Sequence, residues 1–224
     1  MICSHNPATN GTSRRSLSRI VKFKLLLCGL FVLVISATGF AEPSATGKSS
    51  ALQNAVILII RHAEKPASGF GLSAAGEMRS KAYVNYFKNF TNTLDGLPLK
   101  FSYIFATADS KGSHRPRLTV EPTSRALGLA VDSRFKDKDF QELANEIRFK
   151  PHGQAILIAW HHGEIPALVR ALGADPETVI PNAKWPEDIF GWGIELRYNA
   201  AGQLVEARRI NENLMPDDSN RISE

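Results

Sequence analysis

Two short apolar runs do most to limit what this chain can fold into. Residues 55–60 read Ala-Val-Ile-Leu-Ile-Ile and residues 155–159 read Ala-Ile-Leu-Ile-Ala, without a polar residue in either. A strand with one face in water alternates apolar and polar positions. A strand covered on both faces, as in a parallel sheet flanked by helices, is apolar throughout. Residues 101–106 supply a further strand. Between these runs the spacing changes to that of helices. Ser73 is placed to cap a helix carrying Met78, Ala82, Val84, Tyr86 and Phe87 and ending near Phe90. A second helix starts at Arg115 or Pro116 and extends to Gly128 through Leu118, Ala126 and Leu127, with Pro122 expected to break or kink it. A third covers 140–149, and a fourth covers 165–172, closed by Gly173. Residues 191–198 and 204–210, joined through 199–202, read as a final hairpin. Strands alternating with helices predict an α/β domain with three layers, α/β/α, around a mostly parallel, mixed central sheet.

Composition agrees with a globular chain and removes one class of partner. Of 224 residues, 43% are hydrophobic and 22% charged, with a formal net charge of +5. That excess is local. Arg14, Arg15, Arg19, Lys22 and Lys24 lie in the first 41 residues, which hold no acid, so residues 42–224 carry 22 basic and 22 acidic side chains. A broad basic footprint for nucleic acid is therefore absent from the body, and no nucleic-acid partner is expected.

The first 41 residues have the order of a secretory signal. A basic stretch ends at Lys24, eleven largely apolar residues follow over 25–35, and small residues lead to Ala41 ahead of Glu42-Pro43. The run is short of the ~20 apolar residues a membrane span needs. Cleavage before Glu42 is thus expected over retention as an anchor, with a periplasmic or secreted destination. Both cysteines, Cys3 and Cys28, lie in this leader. The remaining chain has no thiol, which excludes a cysteine nucleophile and a Cys-ligated metal there. The organisation expected is a signal over 1–41, a Ser/Ala/Gly-rich flexible tether over 42–54, a domain over 55–215 and a polar tail over 216–224.

Chemistry-bearing residues gather where the strands end. Arg61-His62-Ala63-Glu64-Lys65 follows the first strand, His114-Arg115 comes shortly after the second, and His161-His162-Gly163-Glu164 follows the third. Ligands of open α/β sheets bind beyond the carboxyl ends of strands, so one pocket could receive all three segments. Two arginines and two histidines around one point suit a phosphate. Guanidinium forks match its oxygens, and a neutral imidazole can attack phosphorus, dividing one hydrolysis into two transfers.

These residues resemble the histidine phosphatase superfamily, which includes the phosphoglycerate-mutase-like phosphatases. Arg61-His62-Ala63-Glu64 is similar to its Arg-His-Gly signature, with alanine where glycine is usual. Leu72-Ser-Ala-Ala-Gly76 is similar to the segment introducing its first helix, and Arg115-Pro-Arg-Leu-Thr119 to its second phosphate-binding arginine segment. Residues 155–173 are similar to its strand, second catalytic histidine and following helix. The resemblance spans roughly 55–210 in the family's order. It implies a phosphoglycerate-mutase-like fold, no metal or other cofactor, and a small phosphorylated substrate. It also implies His62 as nucleophile, with Arg61, Arg115 and a second histidine gripping the phosphoryl group. Spacing to Ile165-Pro166 favours His161 for that second role, whereas the Trp160-X-His pattern favours His162; both are kept, with His162 put first. Glu164 is the first candidate for the general acid, Glu64 the second, and Glu64 has the alternative role of orienting a loop. Lys65 could add charge to the rim.

The activity expected is hydrolysis of phosphate monoesters through a phosphohistidine on His62. The rival readings are a phosphoglycerate-type mutase and an inert phosphate- or partner-binding module of the same fold. For the remaining residues the plain reading leads. His161-His162 lacks the spacing of a metal site. His114 is given no role beyond a place at the rim. His152 sits in a Pro-His-Gly turn and is expected in solvent. Arg117 and Arg125 read as a solvated face or local ion pairs, 136–139 as an exposed loop, and Trp160, Trp185 and Trp192 as core or cleft. Neither substrate identity nor oligomeric state is legible.

Overall fold

In the computed structural model, residues 50–91 and 96–218 are described. The leader, most of the tether and residues 219–224 of the tail lie outside them. A six-stranded mixed sheet runs in the order β3-β2-β4-β1-β5-β6. Its parallel part comprises β1 (Val56–Arg61), β2 (Tyr103–Ala106), β3 (Val131–Asp132) and β4 (Ala155–Trp160). The hairpin β5 (Trp192–Tyr198) and β6 (Leu204–Asn211) is added antiparallel along β1. β1 and β4 are buried at every position, as their unbroken apolar runs require.

Helices cover both faces. On one, Tyr83 and Phe87 of α1 (Ala74–Lys88) and Val120 of α2 (Arg115–Leu127) pack on Leu58, Ile60, Ile104 and Leu157. On the other, Leu143 and Ile147 of α3 (Phe140–Phe149) and Leu168 and Val169 of α4 (Ile165–Ala171) pack on Ile57, Ile59, Ile156 and Ile158. The alternation of side chains along a strand sends neighbouring apolar residues to the two opposite cores. This is the expected three-layer α/β/α arrangement. Among the described residues, no helix is long and apolar enough to cross a membrane.

Local signals act as their chemistry dictates. Ser73 caps α1, its hydroxyl accepting from the Gly76 amide at 3.1 Å. α2 closes on Gly128 at φ +68°, the left-handed conformation glycine takes without strain. Two expectations are corrected. α2 is not broken at Pro122, and Val120 and Thr123 on either side of it are buried. His152 is not in solvent; it is buried, its ring 4.4 Å from Tyr103 and 5.1 Å from Phe105, with Nε2 3.6 Å from Glu146. The turn exposes Gly153 but turns the imidazole inward, where it covers aromatic surface at the edge of the core.

Packing also reaches both ends of the described chain. Leu52 is buried in the core, and the Ala51 amide donates to the Arg148 carbonyl at 2.8 Å. Beyond β6, Asp218 receives two bonds from the buried Arg79 guanidinium, at 2.9 and 2.7 Å.

Candidate active site

The register of the central strands assembles the site. Arg61 is level with Trp160, and Ala106 with Ala159, so His62, His161 and Thr107 emerge together just beyond the ends of β1, β4 and β2. The His62 amide donates to the Trp160 carbonyl at 3.0 Å, which carries strand pairing one residue past β1.

His62 is the centre of the arrangement. Its ring lies 5.1 Å from that of His161, 6.3 Å from that of His162 and 6.4 Å from Phe190. Its Nδ1 is 2.7 Å from the Ala63 carbonyl oxygen. A carbonyl only accepts, so Nδ1 carries the proton and Nε2 keeps its lone pair. Burial lowers the His62 pKa to about 3, and the nearby His161, Arg61 and Arg115 add to that effect against the favourable Ala63 contact. The ring is therefore neutral at physiological pH, with the Nε2 lone pair available.

The cationic partners sit around it. Arg61 is buried, and Nη1 donates to the carbonyls of Pro186 and Ile189 at 3.1 and 2.8 Å while Cζ lies 3.7 Å over the Phe190 ring. Burial brings its pKa down to about 10, opposed by Glu64, Glu187 and Asp188, so it stays charged. Arg115, at the first position of α2, donates through Nη1 to the Gly112 carbonyl at 3.3 Å. Burial lowers the His162 pKa to about 4, with Arg61, His161 and Lys65 acting in the same sense and Glu187 opposing. His161 is lowered as well, chiefly by burial, with Asp137 pulling the other way and Arg115 and Arg61 reinforcing.

Several buried polar atoms here have no protein partner: Nε of Arg61, Nε of Arg115, Nδ1 of His162 and Oγ1 of Thr107. A buried donor left unpaired costs free energy unless a ligand or water supplies the acceptor. Arginine donors beside neutral imidazoles suit an oxyanion with several acceptor oxygens.

The structure thus brings together His62, His161, His162, Arg61 and Arg115. Glu164 is the half-buried N-cap of α4, on the turn directly after the paired histidines, its amide bonded to the His161 carbonyl at 3.0 Å. Glu64 takes the loop-orienting place: its Oε1 accepts from Nε and Nη2 of Arg79 at 2.9 and 2.8 Å. Lys65 is exposed at the rim. His114 caps α2 without a side-chain bond and packs 4.5 Å from Phe70. Arg117 and Arg125 form local pairs with Asp109 and Glu121. The three tryptophans are core residues.

Two contacts escaped the sequence reading. Asp137, exposed in the loop that reads as featureless alternating charge, accepts from the Lys138 amide through its side chain at 3.0 Å and from the Trp160 indole through its carbonyl at 3.0 Å. Thr119, buried in α2, bonds the backbone of the His62 loop. Thr119 closes the Arg115-Pro-Arg-Leu-Thr119 segment, but its contact with the His62 loop works across the fold and carries no local signal.

No family model matches the chain, and no curated protein sequence matches it. Solved structures similar to it include a phosphoglycerate mutase of Plasmodium falciparum, at 16% identity and a TM-score of 0.47 over 71% of this chain and 92% of that one. A phosphoglycerate mutase of Bacillus anthracis is similar at 12% identity and 0.44, over 69% and 92%. A mycobacterial glucosyl-3-phosphoglycerate phosphatase is similar at 14% identity and 0.41, over 71% and 98%.

Proposed function

We propose that this chain is an exported phosphatase that hydrolyses phosphate monoesters of small molecules through a phosphohistidine on His62. The observation that carries the reading is a neutral, buried imidazole with Nε2 free, beside arginines whose buried Nε donors, on Arg61 and Arg115, have no protein partner.

In this scheme Arg61, Arg115 and His161 hold the phosphoryl oxygens and stabilise their charge as the bond to phosphorus transfers. His161 takes the second-histidine role because its ring is the nearer of the two to His62. His162, with its ring 6.3 Å from that of His62 and partly exposed, lines the rim. Nε2 forms the N–P bond as the P–O bond to the alcohol breaks, and the departing oxygen keeps the electron pair and takes a proton from a carboxyl group. Water then attacks phosphorus, gives a proton back to that carboxylate, and the N–P bond breaks to release inorganic phosphate. Glu164, half-buried on the turn directly after the paired histidines, is the candidate for this carboxyl. The scheme calls on no metal ion.

The test is to purify the exported protein, expected by intact mass to begin at Glu42, and to mix it with a labelled aryl phosphate in the presence of a chelator before an alkaline quench. Label is expected on the wild type and none on His62→Ala. Glu164→Gln is expected to slow alkyl phosphates about 100-fold and aryl phosphates far less, because only a poor leaving group needs the proton. No label and no turnover on a broad panel of phosphate esters would leave a binding module, and phosphate recovered on a second hydroxyl would indicate a mutase.

A further inference from the structure

The loop that bears His62 and the turn that bears Arg115 come from segments more than fifty residues apart, and a single hydroxyl joins them. Thr119 is fully buried in α2. Its Oγ1 accepts from the Ala63 amide at 2.8 Å and donates to the Arg115 carbonyl at 2.8 Å. Arg115 and Thr119 are four residues apart on the helix and so lie on one face, one above the other. The Ala63 carbonyl, at the other end of the same residue, is the acceptor that sets the His62 tautomer. Hydroxyl, amide, carbonyl and imidazole thus form a continuous path from the backbone of Arg115 to the ring of His62.

We infer that Thr119 is a positioning residue whose hydroxyl holds the attacking imidazole and the Arg115 guanidinium in one fixed relation. The inference rests on the phosphohistidine reading and goes beyond it, since Thr119 touches neither substrate nor phosphorus. Its physical basis is that a hydroxyl is donor and acceptor at once. Valine has the same shape and neither function, while serine keeps both. Without the bridge the Ala63 amide is buried without an acceptor, so the loop shifts to find one and the distance from His62 to Arg115 is no longer set. A small misplacement of reacting groups is enough to cost large factors in rate.

The test compares kcat and KM for an aryl phosphate in wild type, Thr119→Val, Thr119→Ser, Arg115→Ala and the double variant Thr119→Val with Arg115→Ala. Thr119→Ser is expected within about 3-fold of wild type and Thr119→Val about 100-fold lower in kcat/KM, divided between kcat and KM. Arg115→Ala is expected to cost at least tenfold less in the Thr119→Val background than in wild type, because the arginine is already out of place. A merely structural threonine would leave the two losses multiplicative, and that result overturns the inference. Should Thr119→Val not fold, hydrogen exchange in the wild type decides: inorganic phosphate is expected to slow exchange of the Ala63 amide, and an unchanged rate rejects the coupling. Inactive wild type without phosphoenzyme refutes the parent reading. Active wild type with independent losses refutes only the role of Thr119.

Discussion

His62 keeps its lone pair because its ring is almost sealed from water and positive charge surrounds it. The same environment has a cost in stability. An unfolded imidazole titrates near 6.5, whereas the folded one is held at about 3. Between those values the unfolded chain binds a proton that the folded chain refuses, so this residue lowers stability as pH falls through the window. One such group accounts for up to ~1.4 kcal/mol per pH unit, or about 2 kcal/mol by pH 5. His62→Gln removes the effect. Urea unfolding is therefore expected to show the variant gaining about 2 kcal/mol relative to wild type between pH 7 and pH 5. A constant difference would mean the imidazole is protonated in the fold. At this scale the sequence was most legible where residue type and strand end coincide, as at Arg61, His62 and the paired histidines. It named the Arg115–Thr119 segment but was silent on what the Thr119 hydroxyl bonds, since threonine is ordinary in a helix interior.

α1 shows how an element sets a loop. Its cap and first turn follow Ser73, a local signal, but its distance from the His62 loop depends on Gly76. A Cβ there would lie 2.5 Å from the Glu64 carbonyl oxygen and 3.0 Å from the Glu64 nitrogen. Helix propensity alone favours alanine over glycine by about 1 kcal/mol. Overpacking against backbone costs about 1–3 kcal/mol and wins here, because backbone cannot rotate aside. Gly76→Ala is thus expected to lose up to about 2 kcal/mol in thermal unfolding and proportionately more in turnover of an aryl phosphate. A variant as stable and as active as wild type would show that the helix moves without disturbing the loop. Helix and strand positions were largely readable at this scale, since periodicity and caps are local. β3, with two residues, was too short to leave a pattern, and α2 continues past Pro122.

Across the whole molecule, one buried arginine ties the site to the end of the described chain. Arg79 pairs with Glu64, two residues from His62, and with Asp218, while the Glu212 carboxylate lies 3.7 Å away. Those hydrogen bonds raise the Arg79 pKa against a desolvation penalty that is the largest single contribution. Asp218→Ala leaves the guanidinium short of an acceptor, and removing one partner of a buried pair costs about 3 kcal/mol. Thermal unfolding is expected to register that loss, whereas Asp217→Ala, at an exposed position, is expected to change little. Equal effects would deny the arginine its organising role. The amino-acid sequence by itself determined the layered α/β architecture and the strand ends at which charged residues collect, because burial on two faces leaves an unbroken apolar run and a strand end leaves a change of residue type. Only the tertiary structure decided which hydroxyl holds the His62 loop and which carbonyls engage Arg61. Those contacts join residues distant in the chain, and the register of β1 against β4 and the seating of α2 set them, neither of which is written in any short stretch of residues.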